Sequence, residues 1–194
     1  MSGIVGVGLA CVLACQAKAA SIHQTTTYFA VHGATLADID RDLGSQGPFV
    51  LDTGIRHPGA TQVQFDGTVT YRHTAYGCEV DQPNLTLNLK IMLPHWTPPA
   101  DVAPRTVVVW HVLEQDIRRH EETHAAIAKN WLKRLESVLR NLPEERTCAT
   151  MKAAVGATTK RYLAAHEAAQ QNFDRIEAGR VDARLHREVQ AALQ

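Results

Sequence analysis

Charge of a single sign is missing from this 194-residue chain: 20 Lys and Arg balance 20 Asp and Glu, and no basic tail or patch stands out. Nucleic acid and anionic membrane surfaces both call for clustered cations, so neither is expected as the main partner. No apolar run reaches the length of a membrane span, and Ile4 to Ala14 falls well short of it. No two cysteines have CxxC spacing, which excludes a metal or redox site of that kind. Repeats, low-complexity tracts and linkers are absent as well, so residues 25–190 are expected to form a single domain. Histidine, by contrast, is abundant, with 10 residues.

The first twenty residues, MSGIVGVGLACVLACQAKAA, have the texture of an export leader rather than of a fold. A short apolar run leads to Ala17-Lys18-Ala19, a small-residue cleavage site, although no Lys or Arg precedes the run. Val12-Leu13-Ala14-Cys15 can alternatively be read as a lipobox, with Cys15 lipidated and the protein tethered to an envelope membrane. Either route places the mature chain in the periplasm or outside the cell; a buried N-terminal helix is the remaining reading of the segment. Loss of the leader leaves Cys78 and Cys148, which in an exported chain are most simply one disulfide, with two separate buried thiols as the other reading.

The two halves of the remaining chain differ in periodicity. Thr25 to Val31 suits a strand, and Thr35 suits the N-cap of a short helix through Leu43 that Gly47-Pro48 ends. Thr61–Phe65 and Thr68–Arg72 flank Asp66-Gly67, a pair that predicts a type I′ hairpin. Leu85, Leu87, Leu89, Ile91 and Leu93 alternate with polar residues, the pattern of a strand with one buried face. After Pro98-Pro99 the period becomes helical. Pro104 opens a helix whose apolar stripe runs through Val109, Leu113, Ile117, Ile127, Trp131, Leu135 and Val138 until Pro143 ends it. A last helix is expected from near Thr147 to beyond Phe173. The fold class is therefore α+β: a mostly antiparallel N-terminal sheet with a short helix, then two long helices.

The first long helix carries Arg118-Arg119-His120-Glu121-Glu122-Thr123-His124, an HExxH motif. Side chains at i and i+4 lie one above the other on a helix, so His120 and His124 can offer two imidazoles to one ion. Glu121, turned about 100° from His120, is placed to handle a proton without being a ligand itself. The bland alternative is a solvated charged face. Against it, the two histidines interrupt the apolar stripe, not the charged side of the helix. His111 falls on the opposite side and is not expected at the site.

Further motifs run along the chain: Tyr28-Phe29-Ala30-Val31-His32-Gly33 with Thr35, Gly47-Pro48, and Cys78 before the alternating strand. Leu93-Pro94-His95-Trp96-Thr97-Pro98-Pro99, the HExxH helix, Cys148 and Asn172-Phe173-Asp174 follow. On these residues, spanning Thr27 to Gly179, the chain resembles the bacterial DUF922 family, described as predicted secreted zinc-dependent proteases. The resemblance implies a Cys78–Cys148 disulfide and a metalloprotease-like site. Family members tend to end with Tyr-Asp-x-x-Thr-x-His-Gly, whereas Phe173-Asp174-Arg175-Ile176-Glu177-Ala178-Gly179 keeps the acid and lacks the Thr and His.

Hydrolytic zinc takes three protein ligands and keeps one position open. A metzincin third histidine would fall at Asn130, so that pattern is excluded. Asp174, coinciding with the family's acid, is the first candidate, with orientation of His120 or His124 as its other role; His166 and Glu177 follow. His95 and Trp96, at the strand end, are expected to line a cleft. A free sheet edge there would take an extended peptide by strand addition. Tyr162 could donate to an oxyanion but is not counted among the site residues. The expected function is that of an exported zinc-dependent peptidase, one Zn2+ per chain held by His120, His124 and Asp174, with Glu121 as general base. The alternative is a zinc-binding or degenerate envelope protein that holds a partner without cleaving it. Hydrolysis of a cell-wall amide fits the same residues.

Overall fold

The computed structural model describes residues 20–51 and 53–194; residues 1–19 of the expected leader, Cys15 among them, lie outside the described residues. Its strands are β1 (Ser21–Val31), β2 (Phe49–Val50), β3 (Ile55–Arg56), β4 (Ala60–His73) and β5 (Cys78–Trp96). Its helices are α1 (Leu36–Gln46), α2 (Pro104–Arg140), α3 (Cys148–Ala178) and α4 (Val181–Ala192). The α+β class holds. None of the described helices is long and apolar enough to cross a membrane.

The alternating strand is the centre of the fold. β5 lies between β1 and β4, pairing parallel with β1 and antiparallel with β4. Leu85, Leu87, Leu89, Ile91 and Leu93 are all buried on one face. Ile117, Ala125, Ala128, Leu132, Leu135 and Leu139 of α2 pack against that face, and Met151 and Val155 of α3 close the same core. A second, smaller core joins Val31, Ile39, Leu43, Trp96 and Trp110. Trp96 is one of its anchors, with its indole Nε1 donating to the Gly33 carbonyl at 2.7 Å.

Helix boundaries follow local chemistry. Thr35 caps α1 in a capping box with Asp38, and Gly47 ends it. Pro104 occupies the first turn of α2, where a missing N–H costs nothing. Thr147 caps α3 by accepting from the Thr150 N–H. α3 ends at Gly179, and the chain continues as α4, an element the periodicity did not announce. Tertiary ion pairs hold it: the Arg184 guanidinium donates to Asp116 of α2 at 2.8 Å and to Glu177 of α3 at 2.8 Å.

Asp66-Gly67 is not a hairpin turn. β4 runs straight through it, with Asp66 opposite Thr86 and Gly67 opposite Leu85. Gly67 has φ +153°, and a Cβ there would lie 2.5 Å from the Asn84 carbonyl oxygen. The glycine thus serves close strand contact, and the long β5 template overrides the local turn preference. The chain reverses instead at Thr74–Gly77, where the Thr74 hydroxyl accepts from the N–H groups of Tyr76 and Gly77.

Cys78 and Cys148 form the disulfide. Beside it, Cys78 and Glu145 exchange backbone hydrogen bonds of 2.8 and 3.0 Å, so the start of β5 is tied to the connection between α2 and α3. In the chain-entropy approximation a bridge between residues separated by 70 positions stabilises the fold by about 4 kcal/mol. Urea unfolding of the oxidised and the reduced protein is expected to differ by an amount of that order; coincident unfolding curves would refute the bridge as a major constraint.

Candidate metal centre

The HExxH segment lies in the middle of α2, on the side that faces the sheet and α3. His120, His124 and Asp174 bring three potential ligand atoms together. The two imidazole Nε2 atoms are 3.0 Å apart. Asp174 Oδ1 lies 3.4 Å from Nε2 of His120 and 2.9 Å from Nε2 of His124. Ligands placed tetrahedrally around zinc at about 2.0–2.1 Å stand ~3.3 Å from one another, so the triangle is close to one face of such a shell. Phe173 packs against both imidazoles, its ring centroid 5.0 Å from each.

Hydrogen bonding on the far side of His124 selects its tautomer. The Gln170 side-chain N–H donates to the His124 carbonyl at 3.1 Å, which identifies the other amide atom as the oxygen. That oxygen is 2.7 Å from His124 Nδ1, so Nδ1 carries the proton and Nε2 turns its lone pair into the triangle it forms with His120 Nε2 and Asp174 Oδ1. The same Gln170 N–H group reaches His166 Nε2 at 2.9 Å. His166 is therefore an acceptor in this chain of contacts, 7% exposed and stacked edge-on against Phe65. Burial lowers its pKa, which keeps the ring neutral as an acceptor must be. It supports Gln170 and does not join the ligand triangle.

Glu121 points from α2 toward β4. Its carboxylate Oε2 is 2.8 Å from the Thr61 hydroxyl, and its carbonyl oxygen is 2.9 Å from the same hydroxyl, whose single proton serves both acceptors. The residue is only 5% exposed, and burial raises its pKa while the Thr61 bond opposes the rise. For His120 the direction is downward: burial disfavours the cation, His124 adds to that, and Asp174 opposes it. Both shifts favour the protonation behaviour that metal ligation and proton transfer require. Gly59 lets β4 come this close, because a Cβ there would lie 2.8 Å from Ile117 Cγ2 and 3.0 Å from Glu121 Oε1.

These groups line a cleft of about 690 Å³ between β4 and α3, with Val50, Thr53 and His57 at one side. β4 is the sheet edge beside the centre. The other sequence candidates lie elsewhere. His95 is exposed and packs edge-on to Tyr28, while Trp96 is consumed by the second core, so neither lines the cleft. Tyr162 packs on Trp131. Glu177 is engaged by Arg184 and stands outside the triangle. His111 is exposed and absent from the cleft wall, as its helical phase requires. Gly179 caps α3.

Sequence reasoning missed Thr61, Gln170 and Gly59. Thr61 and Gln170 act across 60 and 46 residues of chain, a distance over which helical or strand periodicity carries no signal. The residues fit a zinc ion as donors, two imidazoles and a carboxylate with an orienting amide behind them.

No curated protein and no solved structure matches this chain. A family described as "Bacterial protein of unknown function (DUF922)" matches residues 26–180, from β1 to just past the end of α3. With His120, Glu121, His124 and Asp174 all inside a match over most of its length, the chain belongs to the bacterial DUF922 family.

Proposed function

We propose that this protein is an exported, zinc-dependent peptidase. The observation that carries the reading is the ligand triangle, three donor atoms 2.9–3.4 Å apart, with a buried carboxylate one residue from the first ligand. A purely structural zinc has no use for Glu121 in that position. Bound zinc would supply a Lewis acid that activates water and polarises a carbonyl. His120, His124 and Asp174 are its ligands in this reading, and Gln170 holds the His124 ring and its tautomer. Glu121 accepts the proton of the attacking water and passes it to the leaving amine, while Thr61 steadies one of its oxygens.

The β4 edge beside the centre supports an extended peptide as substrate, since an edge strand offers main-chain hydrogen bonds to an added strand. The leader-like first twenty residues and the disulfide, a bond suited to an oxidising compartment, support export in this reading. Lipidation at Cys15 would tether the same domain without altering the chemistry.

Plasma mass spectrometry of the purified mature domain, folded with zinc, is expected to give one zinc per chain, and His120→Ala or Asp174→Ala is expected to lose it. A folded wild type without zinc would overturn the metal assignment. Glu121→Gln should retain the metal and lose peptide turnover by at least about a hundredfold, as removal of a general base does; unchanged turnover would move the chemistry elsewhere. If neither form cleaves peptides or peptidoglycan fragments, the zinc-binding protein without catalysis is the correct reading. Gln170→Ala is expected to weaken zinc binding about 10- to 100-fold, measured by chelator competition, with the fold intact. Wild-type affinity in that variant would exclude the orienting role.

A further inference from the structure

The cleft does not stop at the metal centre. Along β4, side chains on one face recur at every second position, and Thr61, Val63 and Phe65 line the cleft in that order. The series continues with Gly67 and Val69, which line a second depression of about 560 Å³. On the opposite wall, α3 supplies Gln170 and Leu163 to the first space, then Leu163, Lys160 and Gly156 to the second. Phe65 and Leu163 line both, so the two spaces adjoin end to end along β4 and together make up the groove.

The chemistry changes along it. The metal end is lined by His, Glu, Gln and Asp side chains, whereas the far end has a floor of Leu85, Leu135 and Leu139. Asp66 and Lys160 are the charged residues at the far end, one of each sign, so no net charge selects an ionic group there. Two glycines, Gly67 and Gly156, face this space, and a Cβ built on Gly156 meets nothing within 4 Å. Room has therefore been left over an apolar floor.

Between these residues the two walls span similar lengths. From Thr61 to Gly67 along the strand is ~20 Å at about 3.4 Å per residue. From Gln170 back to Gly156 along the helix is ~21 Å at about 1.5 Å per residue. An extended peptide lying in the groove would advance about six residues over that distance.

We infer that the far end of the groove is a specificity pocket for a large apolar side chain about six residues from the bond at the metal centre. The ligand is an extended, unfolded peptide segment of at least that length. The inference rests on the peptidase reading for its meaning as substrate selection, but its binding can be tested separately.

The test uses zinc-loaded Glu121→Gln protein and a set of 15-residue peptides of Gly, Ala and Thr, each with one Phe or one Ser at successive positions. A fluorescent label reports binding by anisotropy. At one position the Phe peptide is expected to bind at least about tenfold more tightly than its Ser partner, the scale for one apolar side chain removed from water. Adding Gly156→Leu, which fills the space and favours the helix, is expected to abolish that difference. Zinc content and thermal midpoint serve as fold controls. Equal binding of Phe and Ser peptides at every position, or a Phe preference that survives Gly156→Leu in folded protein, would overturn the inference. Cleavage assays with wild-type protein separate the two readings: discrimination in binding without any cleavage would overturn the peptidase and leave the pocket standing.

Discussion

The apolar face of β5 is the surface on which α2 is seated, and the position of every group in the cleft follows from that contact. Five residues alternate along β5 from Leu85 to Leu93, and all of them are buried. α2 meets them with a stripe that includes Ala125 and Ala128, both almost fully buried, which lets the helix approach closely just beyond His124. Because α2 is one unbroken helix, seating its apolar stripe also sets the direction of His120, Glu121 and His124. β4 is held in register on β5, so Thr61 and Gly59 reach Glu121 at fixed positions.

Polar groups placed in an apolar stripe are costly unless they are partnered, and here the partners come from other elements. Glu121 has Thr61, His124 has Gln170, and Gln170 in turn has His166. Among the described residues, no buried side-chain nitrogen or oxygen lacks a hydrogen-bond partner. The cluster is therefore organised before any ion binds, which lowers the cost of ordering ligands on binding. Asp174 is the exception in exposure, at 52%, and it stands at the open mouth where the triangle meets solvent.

A second polar network pairs the neighbouring acids. Arg184 of α4 engages Asp116 and Glu177, and Arg119 also pairs with Asp116. These acids lie on the same two helices as the ligand cluster and near enough to His120 to favour its cation, and their cationic partners occupy them. Asp174 is left as the carboxylate that meets both imidazoles. α4 thus has a structural reason to exist: it neutralises charge on α2 and α3 beside the cleft, although its own side chains are not buried.

Local patterning determined much of this protein. The period of two in β5, the capping threonines at 35 and 147, Pro104, and the HExxH spacing each act within a few residues, and each is realised. The likeness of Asp174 to the family's acid also picked out the carboxylate that the fold brings to the imidazoles. Tertiary structure decided the rest. Asp66-Gly67 has a strong turn preference, but fourteen residues of β4 pairing with β5 outweigh it. Trp96 was drawn into a core by Trp110 and Gly33, partners that no sequence interval announces. Thr61, Gly59 and Gln170 matter only because β4 and α3 converge on α2. Helical and strand periods report which face of an element is buried; which faces meet depends on packing between elements far apart in the chain.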